Sequence, residues 1–594
     1  MLYLTLLLLG GVSASIVKPS TTSAGNFELL ILHNNDMHAR FEQTSQLSGA
    51  CAPADRDAGK CYGGFPRVAH VVKEARKAAA SGEGPPVLYL NAGDTYTGTA
   101  WFTIYKWKVA AEFLNALQPD AVSLGNHELD EKVEGLTPFI RNLTSPVVAA
   151  NLILDNVPEL QNEPNLYKSV VLHVNGKNIG IIGYLTPDTR FLAPKNNIEY
   201  EDEVTAIAKE VQKLKEQGVD ILIALGHSGF IKDLEIAKDV EDIDIVIGGH
   251  SNTFLWNSQT TNEKPEYPQG LYPTIVTQKS GRNVLVVQAY AYTKYMGSLR
   301  LTFDDNGEII HFSGDPILLN HEIPEDPNIL EMIDVYRSDV DRINNEVVGS
   351  SNVFLDGDQC RLRECNIGDM ISDAVLLYTK EHYKEDKNVT IAVIQGGRIR
   401  SSLDNDQKPF KLTRGDWITV VPFTDNLCVM TLTGTVLKQA LEHSVEAWRT
   451  IDTPGQFLQM SGMKIVYDLA KPPGSRVVEA KATCAKCTQL EDIRDDHEYN
   501  LITSGFIADG GDGFSMFEAI PKEIMAFNEM SAILDYTRKY SPVEPIVSNR
   551  ITVLNEDHAQ NIPIINKYSS SLATSSKISL VLSKLVILFT LLTR

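Results

Sequence analysis

Phe27-Glu28-Leu29-Leu30-Ile31-Leu32-His33-Asn34-Asn35-Asp36-Met37-His38 is an apolar run that breaks into groups able to bind a metal ion. The same arrangement recurs along the chain. Val87 to Leu90 leads into Asn91-Ala92-Gly93-Asp94, and Ala121 to Leu124 into Gly125-Asn126-His127-Glu128-Leu129-Asp130. Ile221 to Leu225 leads into Gly226-His227, and Ile243 to Ile247 into Gly248-Gly249-His250-Ser251-Asn252. Short β-branched runs bounded by glycine predict buried strands. In sheets of this kind ligands bind just beyond the strand ends, so groups spread from Asp36 to Asn252 can converge in one crevice. A lone histidine after a strand is more often a core or surface residue than a ligand. Here four of the chain's thirteen histidines, His38, His127, His227 and His250, take that position. The pattern predicts a metal-dependent enzyme.

The donors narrow the metal. Three imidazoles (His38, His227, His250), two aspartates (Asp36, Asp94) and two amides (Asn126, Asn252) offer mixed nitrogen and oxygen ligands without a thiolate. That set suits first-row divalent ions better than calcium or an iron–sulfur cluster. It is too large for one tetrahedral ion and fits two ions sharing a carboxylate, the usual device for activating water at a phosphoryl group.

Asp36-x-His38, Gly93-Asp94, Gly125-Asn126-His127-Glu128 and Gly249-His250-x-Asn252 together resemble the calcineurin-like metallophosphoesterases. Asn34 to Arg40, Leu124 to Asp130 and Gly510-Gly511-Asp512-Gly513-Phe514 look more narrowly like the 5′-nucleotidase family (ecto-5′-nucleotidase or apyrase type). By that resemblance Asp36, His38, Asp94 and Asn252 hold one ion, and Asp94, Asn126, His227 and His250 the other, with Asp94 as the bridge. It implies zinc, while the residues alone also admit manganese or cobalt. His127 adjoins Asn126 and is expected to act instead as a charged imidazole at the phosphoryl oxygens or leaving group. Asp130 is expected to orient it; alternatively Asp130 only caps the turn.

The chain divides near residue 325. Before it, strands alternate with helical stretches such as Ala100 to Leu117 and Glu203 to Gln217, an α/β arrangement. Asp326-Pro327 supplies an N-cap and first-turn proline, and Ile329, Ile333, Tyr336, Val340 and Ile343 then mark one face of a helix. With the resemblance, the expected architecture is an N-terminal metallophosphoesterase β-sandwich flanked by helices over 26–324, a connector helix over 325–347, and a C-terminal α+β substrate-binding domain over 348–555.

That second half carries substrate chemistry. Cys360-Arg361-Leu362-Arg363-Glu364-Cys365 sets two arginines in a loop that a disulfide would tie, and Gln395-Gly396-Gly397-Arg398-Ile399-Arg400 follows a predicted strand, Thr390 to Ile394. Arginine's planar fork suits phosphate oxygens. The resemblance implies that Arg361 and Arg400 contact the substrate phosphate, that Phe423 and Phe506 sandwich the base, and that Asp512 accepts from the ribose hydroxyls. Gln395 and Arg398 depart from the family, whose members often carry asparagine and glycine there. Gln395 would shift a base contact; Arg398 would favour longer polyphosphates or point outward. Since the metals and the base contacts lie in different halves, the substrate must span both. A domain rotation and a homodimer through the second half are implied by resemblance alone.

The 594-residue chain has a formal charge of −22 and a pI near 5.1, which argues against a nucleic-acid polymer as partner. Leu2 to Leu9 and Val12-Ser13-Ala14 predict a signal peptide over 1–14. Ser569-Ser570-Ser571, a polar spacer and the apolar Ile578 to Leu592 match a glycosylphosphatidylinositol signal over 569–594, with free secretion as the alternative. Cys51 with Cys61, Cys360 with Cys365 and Cys484 with Cys487 form three sequence-local pairs, leaving Cys428 unpaired. Export favours structural disulfides over a metal or redox role for the C-x-x-C. Asn142-Leu143-Thr144 and Asn388-Val389-Thr390 are N-glycosylation sequons. The expected activity is that of an extracellular, lipid-anchored 5′-nucleotidase acting on nucleoside monophosphates such as AMP. An apyrase acting on ATP and ADP is the nearest rival, and an inactive binding or adhesion protein on the same fold the distant one.

Overall fold

The computed structural model describes residues 26–257, 266–383 and 387–559. The signal-peptide and lipid-anchor expectations, including Ser569, Ser570 and Ser571, lie outside the described residues. Strand Phe27–Asn34 sits inside a first sheet, pairing parallel with Val87–Asn91, which in turn pairs with Ala121–Ser123. Antiparallel Tyr295–Phe303 closes its other side. A second sheet is centred on Ile221–His227, flanked in parallel by Lys177–Leu185 and Ile245–Ile247. Alternation along the first strand decides the layering. Leu29 and Ile31 face inward onto Ile181, Ile223, Val246 and Leu285 of the second sheet. Leu32 faces the other way, into a cluster with Phe65, Val68, Phe113 and Leu114 from the covering helices. Two sheets face to face with helices outside form the expected sandwich.

The stretch Ala100 to Leu117 is not one helix but two, Ala100–Tyr105 and Trp107–Leu117. Lys106 between them holds φ 58° and ψ −146°. That backbone is unfavourable for a side chain with a Cβ, and the Lys106 side chain makes one contact within the stretch and one outside it. Lys106 pairs with Glu131 at 2.7 Å and lies 5.5 Å from the Phe102 ring centroid.

Helix Pro327–Asn344 starts where the Asp326 carboxylate accepts the N–H groups of Asn328 and Ile329. Ile329, Ile333 and Val340 bury one face. The helix packs against Phe65–Ser81 and Ala100–Tyr105 of the first half and Arg414–Val420 of the second. In the second half a five-stranded sheet runs Leu458–Ser461, Ile391–Gln395, Glu498–Ser504, Asn426–Thr433, Lys522–Asn528. Ala392 and Ile394 face a cluster with helices Asn366–His382 and Glu529–Tyr540, while Ile391 and Val393 face one with helix Gly434–Glu446. The three expected disulfides, Cys51–Cys61, Cys360–Cys365 and Cys484–Cys487, are present, and Cys428 is a buried free thiol in strand Asn426–Thr433. Asn142 and Asn388 lie on the surface. No helix among the described residues is long and apolar enough to cross a membrane.

Candidate active site

The strand ends bring the predicted metal donors together. His227 Nε2 lies 2.9 Å from Asp94 Oδ2 and 3.6 Å from Asp36 Oδ1, and His38 Nε2 lies 3.8 and 3.9 Å from the same two atoms. His250 Nδ1 is 2.9 Å from Asn126 Oδ1, and its main-chain N–H donates to Asp36 Oδ2 at 3.0 Å. His38, Asp94 and His127 form one compact donor group, and Asp94, His227 and His250 a second, so Asp94 is common to both.

The backbone is bent to achieve this. Asp36, His38, Asp94, His250 and Asn252 hold positive φ of 49°, 48°, 55°, 77° and 53°. Each such residue costs stability and persists where surrounding contacts over-determine it, most often at functional sites. Glu128 supplies several of those contacts. Its carboxylate accepts the main-chain N–H groups of Asp94, Thr95, Tyr96 and Gly125 at 2.7 to 3.2 Å. Asn35 adds another, donating to Asp36 Oδ2 at 2.7 Å and to the Tyr290 carbonyl at 2.6 Å.

The charge states are mutual. Burial lifts Asp36 to about 6. Burial acts against a charged His227, yet the Asp94 and Asp36 carboxylates outweigh it and raise that imidazole to about 10. Burial and neighbouring cations keep His38 and His250 below the usual histidine range, which favours their neutral imidazoles. Asp36 Oδ1 and Asn252 Oδ1 are buried without a hydrogen-bond partner, while His227 Nε2 is held by the Asp94 carboxylate. Orphaned buried polar atoms are costly, and two of them on predicted ligands, converging with neutral imidazoles, fit divalent metal ions. Gly249 keeps the space clear: a Cβ there would stand 2.7 Å from His227 Nδ1 and 3.0 Å from Asp36 Oδ2.

His127 sits beside these donors with its Nδ1 2.9 Å from Asp130 Oδ2. Thr97 Oγ1 donates to the same carboxylate oxygen at 2.5 Å. Burial opposes charge on His127, but Asp130 and Asp94 prevail and raise its pKa. The Asp130 side chain thus faces His127 Nδ1 and Thr97 Oγ1, while its main-chain N–H closes the turn on the His127 carbonyl. Thr97 was not legible as a partner, because nothing in a lone threonine announces it.

The second half closes over the site. A cavity of about 1100 Å³ is lined by Asp94, Asn126, His127, His250 and Asn252 from the first half. Arg361, Gln395, Arg400, Phe423, Phe506 and Asp512 line it from the second. Arg400 Nη2 reaches 3.1 Å from His38 Nε2. Arg361 donates to the Thr453 carbonyl, whereas Arg363, the other arginine of the disulfide loop, turns away to Glu556. Gln395 hydrogen-bonds Asp512, and its Oε1 is buried without a partner. Phe423 lies with its ring centroid 6.0 Å from that of His127. The Phe506 ring rests on Gly511, where a Cβ would come within 2.6 Å of it. Arg398 does not point outward. It is 3% exposed, bonded to Glu529 and Asp425, and its guanidinium covers the Phe423 ring at 4.7 Å, so its charge is already engaged. Arg40, to which no role fell from its position in the Asn34 to Arg40 motif, is buried with hydrogen bonds to the carbonyls of His38, Gly98 and Ser48.

A two-sheet sandwich with this donor set at its strand ends is the mark of a metal-dependent phosphohydrolase. The Calcineurin-like phosphoesterase family matches residues 29–254, and the 5′-nucleotidase C-terminal domain matches residues 347–519. The 5′-nucleotidase of Homo sapiens is 41% identical over 546 residues, spanning 90% of this chain and 92% of that protein. The snake venom 5′-nucleotidase of Gloydius brevicauda is 38% identical over 540 residues, 89% of this chain and 90% of that one. The crystal structure of a 5′-nucleotidase precursor from Thermus thermophilus superposes with a TM-score of 0.80 at 32% identity, covering 89% of this chain and all of the other. The chain belongs to the 5′-nucleotidase family.

Proposed function

We propose that this chain is an extracellular 5′-nucleotidase that hydrolyses nucleoside 5′-monophosphates, AMP foremost, to nucleoside and phosphate. The observation carrying this reading is the shared cavity: donors for ions and an imidazole stand on one wall, and guanidinium, aromatic and carboxylate groups on the other. Asp36, His38, Asp94 and Asn252 would hold one divalent ion, and Asp94, Asn126, His227 and His250 a second, with zinc as the proposed metal. When bound, such ions supply charge stabilisation at the phosphoryl oxygens and an acidified water for in-line displacement.

The chain's own groups do the rest. Arg361 and Arg400 grip the phosphate through their forked donors. His127, held through Nδ1 by Asp130, turns its Nε2 to the phosphoryl group, donating where negative charge builds as the P–O5′ bond breaks. Asp512 takes the ribose hydroxyls, Gln395 Oε1 offers an acceptor, and Phe423 and Phe506 stack on the base. The carboxylates that orient these groups are fixed before substrate arrives, so little reorganisation is needed during the reaction.

The signal-peptide pattern, the three disulfides and the venom relative support an exported enzyme. We extend this to a lipid-anchored form at the cell surface, with N-glycans at Asn142 and Asn388 and a homodimer through the second half. Phosphate release from AMP, ADP, ATP and UMP under matched conditions tests the activity: preference for AMP supports it, and preference for ATP and ADP makes the protein an apyrase. Phosphatidylinositol-specific phospholipase C should free the activity from expressing cells; activity already in the medium would count against the anchor.

A further inference from the structure

Arg398 follows strand Ile391–Gln395 in a short turn and is almost fully enclosed, 3% exposed. A buried guanidinium persists only with partners for its charge and its donors. Its Nε donates to Glu529 Oε2 at 2.8 Å, and its Nη2 to Asp425 Oδ1 at 2.6 Å, with Glu529 Oε2 2.7 Å from Nη2. Glu529 is itself 1% exposed and opens helix Glu529–Tyr540. This fork anchors the turn to that helix and to the segment between Phe423 and strand Asn426–Thr433.

The same cluster holds both aromatics of the cavity. The Arg398 guanidinium carbon stands 4.7 Å from the Phe423 ring centroid, a cation–π contact that occupies one face of the ring. The second oxygen of Asp425, Oδ2, accepts the main-chain N–H of Phe506 at 3.0 Å. Phe423 is thus fixed by its covered face, and the main chain that carries Phe506 is fixed through Asp425. Both rings line the cavity.

We propose that Arg398 is the positioning residue of the base clamp: it backs Phe423, leaves the opposite face for the nucleobase, and sets the place of Phe506 through Asp425. The inference rests on the nucleotide reading of the cavity. Arg398 touches neither phosphate nor base in this role. Its effect is to hold two stacking surfaces in register before substrate enters, which lowers the ordering cost of binding. Lysine cannot substitute fully, because it keeps a cation over the ring but lacks the planar fork that engages two carboxylates.

The test compares AMP with ribose 5-phosphate, which has the same sugar and phosphate and no base. Arg398→Ala would strand a buried carboxylate, so Arg398→Gln combined with Glu529→Gln is the principal variant and Arg398→Lys the second. The double variant should raise KM for AMP about tenfold with kcat within about twofold, while kcat/KM for ribose 5-phosphate changes by less than about twofold. Arg398→Lys should give a smaller rise in KM for AMP, about threefold, with the same indifference to ribose 5-phosphate. Equal losses on both substrates, or no change on AMP in variants that melt at the wild-type temperature, would overturn the proposal. Should the double variant fail to fold, the lysine variant decides by the same criterion. A wild-type enzyme with no preference for AMP over ribose 5-phosphate sinks the nucleotide reading and this inference with it. A preference for AMP over ribose 5-phosphate that is as large in the variants as in the wild type sinks the inference alone.

Discussion

The Asp94 carboxylate meets three imidazole-bearing residues at once: Oδ2 faces His227 and His38, and Oδ1 accepts the main-chain N–H of His127. Glu128 reinforces it from below by binding the N–H groups that follow it in the loop. Asp94→Asn keeps the shape but removes the charge that two ions would share, so metal content by elemental analysis and hydrolysis should both collapse. Full activity in the variant would remove Asp94 from the centre. His127→Ala should behave differently: turnover falls by about two to four powers of ten, the range for a placed proton-transfer or charge-stabilising group, while bound metal stays near wild type. Loss of metal would instead make His127 a ligand, a role its place in one donor group makes worth testing. The donor residues were legible because each stands within a few residues of the end of a short apolar run. The roles of Thr97, Arg40 and Arg398 were not, since each depends on partners far away in sequence. Arg398 is the clearest instance: its direction is decided by Glu529, which no local pattern connects to it.

Among the elements, the helix Pro327–Asn344 was readable end to end, because its cap, first-turn proline and apolar spacing agree. The stretch Glu203 to Gln217 also forms a helix, Glu203–Glu216, whose Asp202 cap, accepting the Thr205 N–H, was not part of that reading. The break at Lys106 was hidden, because a single residue at positive φ leaves no trace in periodicity. Asp326 makes the cap of the long helix testable. Partial burial works against its charge, but the hydrogen bonds from Lys73 and the Ile329 N–H prevail and hold its pKa below the ordinary aspartate value. A depressed carboxylate contributes stability above its unfolded pKa, near 3.9, that is lost as pH falls through its folded value. Asp326→Ala should therefore cost about 1 kcal/mol at neutral pH, read as a lowered melting temperature. The gap from wild type should close as pH falls below about 4. A gap independent of pH would mean that packing, not the charged cap, is what the substitution removes.

On the scale of the whole molecule, the two halves meet across the cavity. Lys195 reaches Glu518 at 3.0 Å, and the short helix Thr189–Leu192 packs on the Gly511–Gly513 turn. If substrate that touches both walls enters while they are apart, a tether across this contact should slow turnover. In a Cys428→Ser background, Lys195→Cys and Glu518→Cys joined by a short bis-maleimide should lower kcat at least about tenfold relative to the unlinked double variant. Undiminished turnover would show that entry needs no separation. A different consequence follows from where the donors sit. Asp36, His38, Asp94 and Asn126 follow strands of one sheet, whereas His227 ends a strand of the other and His250 and Asn252 follow the next strand of it. Ions bound there would act as fasteners between the two leaves of the sandwich, and anything that binds only the folded state raises its stability, by about 2.7 kcal/mol at a hundredfold excess over Kd. Melting temperature should then climb with free zinc concentration and drop on chelation, and a flat response would deny the fastening role. Scarcity of metal would accordingly be felt twice, as idle enzyme at first and then as protein that unfolds.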